Sequence, residues 1–154
     1  MACAYRIEAV MDALRSKLRE ALDSCDSELL EEVIEALTAA AERAEAVEML
    51  NALLVLPNHR CHQKVARALQ KIRSPSTIPF VRRVLEGNLA FLDYTCSESG
   101  TVAKWFSWIL ADIGTPDAIA LMRDLLSSED LGIREEMQYR LDKVSRRTGS
   151  LRVT

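Results

Sequence analysis

The stretch AKWFSWILADIGTPDAIALMRDLLSS, Ala103 to Ser128, decides the fold. It reads as two helices joined by a tight turn. Gly114 closes the first helix, because a residue without a Cβ enters the left-handed backbone region at no steric cost. Thr115 can then cap the second helix with its side-chain oxygen, and Pro116 stands at the first helical position, where a missing N–H is harmless. A two-helix unit cannot bury its apolar stripe alone, so copies of it should stack against it.

Working outward, copies are found. Residues 68–86 shifted by 41 onto 109–127 match at six of nineteen positions: Leu69 on Leu110, Ile72 on Ile113, Pro75 on Pro116, Ile78 on Ile119, Arg82 on Arg123 and Leu85 on Leu126. Fainter copies lie on either side. Val33, Leu37 and Ala40 precede Val65, Leu69 and Ile72 by 32 residues, and Met137, Leu141 and Val144 follow Phe106, Leu110 and Ile113 by 31. The period is therefore about 31 residues, in the range of helical-repeat arrays. One interval is ten residues longer, and the excess falls in 88–100, NLAFLDYTCSESG.

Composition agrees with an all-α chain. Of 154 residues, 49% are apolar and only 5% aromatic, with five glycines and four prolines, and alternating strand-like runs are absent. Leu, Ala, Glu and Arg, all good helix formers, dominate. The N-terminal residues lack an uninterrupted apolar segment of signal-peptide type, and no apolar run approaches the about 18 residues that would cross a bilayer. A cytoplasmic protein is expected. Cys3, Cys25, Cys61 and Cys96 are spaced without pairs and are expected to be reduced thiols. The net charge of −3 conceals an uneven distribution, with 5 Lys/Arg against 12 Asp/Glu in residues 1–56, 7 against 1 in 57–88, and 8 against 10 in 89–154.

Apolar spacing predicts helices over 5–22, with Ile7, Val10, Met11, Leu14 and Leu18 inward, from Asp26 or Ser27 to Ala40, and over 42–56. A further pair runs from His59 to Gly87, with Ser74 and Pro75 repeating the Thr115 and Pro116 start. Pro79 must then lie in the early turns of its helix. The last helix is expected over 133–145. Residues 1–145 thus form one domain, followed by a flexible basic tail at 146–154.

An apolar helix, an Ile-Gly or Ile-Arg exit, a Ser/Thr-Pro start and a Leu-rich second helix together resemble HEAT-like repeats, over residues 27–145. The best motif is Ile113-Gly114-Thr115-Pro116-Asp117-Ala118-Ile119; Arg73 replaces the glycine in the second copy. The resemblance implies a short right-handed solenoid of antiparallel helix pairs with a binding face. A narrower resemblance, in Tyr94 to Gly100, Ala103 to Trp108 and Gly132 to Met137, is to small bacterial immunity proteins of polymorphic or contact-dependent toxin systems. It implies a cytosolic partner that binds and neutralises a toxin domain.

Two constellations carry a binding expectation. Lys104, Trp108 and Asp112 are spaced i, i+4, i+8 and so share one stripe of a helix, where an amphipathic Trp flanked by charges can anchor a partner. The opposing reading packs Trp108 on the next repeat. In the 88–100 insertion, Asp93, Tyr94 and Glu98 offer acids and an aromatic, which suit a basic target such as a nuclease domain. The alternative there is one more helical turn. The expected partner-binding residues are Asp93, Tyr94, Glu98, Lys104, Trp108 and Asp112.

Other chemistry is weaker. His59, Cys61 and His62 lie within four residues, yet zinc needs a fourth ligand that this spacing does not supply, so no metal or cofactor is expected. Arg60, Lys64, Arg67 and Lys71 follow i+4 and i+3 spacing on one helix and could meet phosphates, or pair with Glu31, Glu35, Glu42 and Glu45. The alternative function is a nucleic-acid-binding HEAT-like protein, such as a DNA base-repair enzyme with Trp108 and Asp112 at its centre. The acidic first third opposes that. No phosphate loop, nucleophile elbow or His-Glu metal motif is present, and no enzymatic activity is expected.

Overall fold

The computed structural model describes residues 2–150, with side chains from residue 8 to residue 147. It contains eight α-helices: α1 (Ala2–Asp23), α2 (Ser27–Ala39), α3 (Ala44–Val55), α4 (His62–Ile72), α5 (Ile78–Leu85), α6 (Ser99–Ile113), α7 (Pro116–Asp124) and α8 (Leu131–Ser150). Short 3-10 helices occupy Pro75–Thr77, Leu89–Thr95 and Leu125–Ser127, and no strand occurs among the described residues.

Packing follows the repeat. The even helices stack in sequence, α2 on α4, α4 on α6 and α6 on α8, while α3, α5 and α7 form a second layer against them. The chain is a short all-α solenoid of helix pairs. The sequence period is borne out by burial: Val33, Val65, Phe106 and Met137, one from each even helix, are at most 1% exposed. Leu37, Leu69 and Leu110, one turn later, are fully buried. Each such burial contributes on the order of 2 kcal/mol, which is what holds one pair to the next. At the start of the array Val10, expected inward, is 53% exposed, while Met11 and Leu14 carry the packing of α1 on α2. Ile7 lies outside the described side chains.

Turns follow local chemistry. Gly114 closes α6 at φ 66°, and Thr115 accepts a hydrogen bond from the Ala118 amide at the start of α7. Asp26 caps α2 through the Leu29 amide at 3.0 Å. Arg73 occupies the left-handed position at φ 58° that glycine takes in the sister repeat, a strain of about 1 kcal/mol. Where α7 begins directly at Pro116, its sister begins as the 3-10 turn Pro75–Thr77 before α5. Pro79 explains the difference: a continuous helix would ask for an N–H that proline lacks, directed at the Pro75 carbonyl. The Ile78 amide takes that carbonyl instead.

Two expectations change. Residues 88–100 are neither a polar loop nor an extension of the preceding helix. Asn88 caps a separate 3-10 helix, Leu89–Thr95, by accepting from the Ala90 amide at 2.8 Å, and Cys96 ends it at φ 51°. The last helix does not stop at Ser145 either. It continues to Ser150, so the boundary expected at 146 falls inside α8; residues 151–154 lie outside the described residues.

Candidate functional site

In an array of alternating helix pairs, every connection from an odd helix to the next even one lies at the same edge. Here those connections are residues 24–26, 56–61, 86–98 and 125–130, and three cavities open along them. The 3-10 helix Leu89–Thr95 forms a ridge between two of them, because Ala90 lines both.

The largest, about 760 Å³, lies between the insertion and the α7–α8 connection. Its acids are Glu86, Asp93, Asp124, Glu129 and Asp130; no Lys, Arg or His lines it. An adjoining groove of about 700 Å³, sharing Ser99, runs between the N-terminal ends of α6 and α8 and carries Glu98, Glu135 and Glu136, again without a basic residue. Some of these charges are spoken for. Arg82 bridges Glu86 and Asp124 at 2.7 Å each, joining α5 to α7. Asp130 caps α8 through the Ile133 amide at 3.0 Å and accepts from the Ser99 hydroxyl at 2.8 Å. Partial desolvation raises the Asp130 pKa, but those bonds, the Gly132 amide and the Arg134 charge outweigh it and hold the carboxyl below its ordinary range. Asp93, Glu98, Glu129 and Glu135 make no ion pair among the described residues, so their charge is available to a ligand.

Asp93 and Glu98, expected from sequence, therefore lie in two adjoining grooves. Tyr94 does not join them. Its hydroxyl donates to His62 Nδ1 at 3.0 Å and accepts from the His62 amide at 3.2 Å. His62 Nε2–H donates to the Leu56 carbonyl, and the His62 ring stacks on His59 with centroids 3.9 Å apart. His59 in turn donates from Nε2 to the Leu53 carbonyl and accepts at Nδ1 from the Cys61 amide. All four ring nitrogens are engaged. This network satisfies the last carbonyls of α3 and ties the insertion to α4. No group of three metal-ligating side chains is found among the described residues.

The Trp108 stripe is also divided. Lys104 is exposed, whereas Asp112 accepts from Gln70 at 2.7 Å, linking α6 to α4. Trp108 lies under the Arg140 guanidinium, 3.9 Å from its ring centroid. Arg140, only 4% exposed, donates to Ser107 Oγ at 3.1 Å and to Glu136 at 2.9 Å, and Ser107 donates to Glu136 at 2.6 Å. A stacked, ion-paired Arg at the α6–α8 interface is a packing arrangement. On the basic helix, Lys64 is held by Glu31 and lies 3.9 Å from Glu35, as the pairing alternative anticipated.

The acids that sequence reasoning missed are Glu86, Asp124, Glu129, Asp130, Glu135 and Glu136. Their signal was available: connections one repeat apart share an edge, so the acids of 124–136 belong beside those of 86–98.

No curated protein and no solved structure matches the chain. A family profile for HEAT repeats matches residues 15–92, half of the chain. With the stacked helix pairs and their burial in phase with the repeat, this shows that the chain belongs to the HEAT-repeat family, whose members are in general protein-interaction modules.

Proposed function

We propose that this chain is a protein-binding module that recognises a basic partner through its acidic edge, and that it serves as an immunity protein neutralising a toxin domain. It needs no chemistry of its own for this: covering or distorting the toxin's active surface suffices. One observation carries the reading. Two adjoining grooves are lined by eight acids and no base, and Asp93, Glu98, Glu129 and Glu135 among them have no ion-pair partner in the described residues. Such a surface attracts a Lys/Arg-rich protein face and repels phosphate, which favours a protein partner over nucleic acid. The narrower identity rests on the resemblance of 94–100, 103–108 and 132–137 to immunity proteins.

The test is a binding assay against the product of the adjacent gene, run beside a nucleic-acid shift assay. Reversing Asp93, Glu98, Glu129 and Glu135 to Lys should slow association at least about tenfold, and the wild-type rate should fall with added salt. Arg67→Ala with Lys71→Ala should leave it unchanged. Tight nucleic-acid binding without a protein partner sinks the proposal; a partner whose association survives the reversals keeps the protein-binding reading and discards the acidic surface.

A further inference from the structure

The third cavity lies across the insertion ridge from the acidic grooves, where the α1–α2 and α3–α4 connections meet the 3-10 helix. It measures about 390 Å³, within the range of about 300–1,000 Å³ usual for small-molecule sites. Leu22, Leu30, Pro57, Ala90 and Phe91 form the apolar part of its wall, and Asn58 adds a neutral polar side chain. His59 and Tyr94 also line it, but the polar atoms of both rings are already hydrogen-bonded, so they present ring surface only.

Charge at this cavity is confined to two residues. Asp26 is committed to the α2 cap through Leu29. Arg60 is exposed and takes part in no ion pair or hydrogen bond found among the described residues; burial raises the nearby Tyr94 phenol above its ordinary value, and the Arg60 charge opposes that rise. Ser27, the first residue of α2, adds the amide end of a 13-residue helix to the same rim.

We propose that this cavity binds a small molecule with an apolar body and a single carboxylate, the body against Leu22, Leu30 and Phe91 and the carboxylate on the Arg60 guanidinium. A planar carboxylate matches the two-pronged donor fork of one arginine, whereas a doubly charged phosphate would be opposed by Asp26. The site shares only Ala90 with the larger acidic groove, and the proposal does not depend on the partner-binding reading.

Cys25 lines the cavity with an exposed thiol, while Cys96 is exposed but outside its lining, so the chain contains both reporter and control. The experiment uses 1-naphthoate as probe and follows iodoacetamide modification of each cysteine by peptide mapping. Saturating naphthoate should slow Cys25 at least about tenfold and leave Cys96 unchanged; Arg60→Met should weaken this protection about tenfold, the value of a charge-assisted hydrogen bond. Ala90→Phe, which fills the cavity from an exposed position, should abolish it with the helical circular dichroism intact. The proposal is overturned by absent or non-saturating protection at millimolar probe, by equal protection from neutral 1-naphthamide, or by an Arg60→Met protein that binds as tightly as wild type.

Discussion

The stacked histidines are the most informative residues of the chain. His59 donates from Nε2 to the Leu53 carbonyl of α3, His62 from Nε2 to the Leu56 carbonyl just past its end, and both accept at Nδ1, so both are neutral and fully used. Burial, helped by the adjacent His59 and opposed by the Leu56 carbonyl, lowers the His62 pKa from 6.5 to about 4; burial also lowers His59, opposed by Leu53. Protons therefore bind the unfolded chain more tightly than the folded one. The stabilisation is complete above the ordinary histidine value of about 6.5 and is lost as pH falls through about 4. The unfolding free energy from urea titrations should fall between pH 7 and pH 4, by on the order of 2–3 kcal/mol beyond the carboxylate contribution. A His62→Gln variant, which keeps one donor and one acceptor, should show a shallower slope; an unchanged slope would mean that the buried pair does not control it. In the sequence these residues read only as a His/Cys cluster short of the ligands that zinc needs. Tyr94, 32 positions away, could not be seen to complete them, because its inward orientation depends on how the insertion folds.

At the scale of elements, small residues decide how closely α6 and α8 meet. Gly132, in the first turn of α8, lies so close to the start of α6 that an added Cβ would come within 2.5 Å of the Gly100 nitrogen and of Ser99 Oγ. Gly114 differs: it has room, its nearest neighbour being the Ala111 carbonyl at 3.5 Å, but its φ of 66° strains any other residue. Gly132→Ala should therefore cost about 1–3 kcal/mol by forcing the two helix ends apart, and should also disturb the Ser99–Asp130 bond. Gly114→Ala should cost about 1 kcal/mol through backbone strain alone. Thermal melts distinguish these mechanisms when each is combined with Ser99→Ala: the Gly132 variant should be partly relieved and the Gly114 variant should not. Additive costs for both pairs would refute the packing explanation. The turn at Gly114 was legible because it obeys local chemistry, while the Gly100–Gly132 approach joins residues one repeat apart.

For the whole molecule, the acidic edge and the solenoid are consequences of one another. Stacking repeats in register aligns their odd-to-even connections, so acids scattered over 86–136 become one surface. The same register makes α8 the covering element of the array. Phe106, Ile109 and Leu110 of α6 and Leu121 and Met122 of α7 are at most 1% exposed, and α8 packs on both helices. Deleting residues 131–154 should leave that face bare, giving a chain that aggregates or melts without a cooperative transition by calorimetry. A truncated chain that stays monomeric and melts as sharply as the full one would show that α8 is not needed to close the core. No helix among the described residues is long and apolar enough to cross a membrane.

The sequence by itself determined the elements and their order. Helical stripes such as Val33-Leu37 and Phe106-Leu110, the caps at Asp26 and Thr115, and the left-handed exit at Gly114 depend on residues within one or two turns of each other, so the chain states them locally. The repeat period extended that local logic to which helices stack. Tertiary structure alone decided what each polar residue is for. Arg140 reads as an ordinary surface charge until α6 brings Ser107 and Trp108 against it, 32 to 33 positions away, and the same holds for Tyr94 on His62 and Asp112 on Gln70. Asp93 and Glu98 kept their charge for the opposite reason: their side chains meet no cation across the packed edge. Whether a charge is buried, paired or free is settled by partners a full repeat distant, and periodicity orders those partners without specifying which side chains meet.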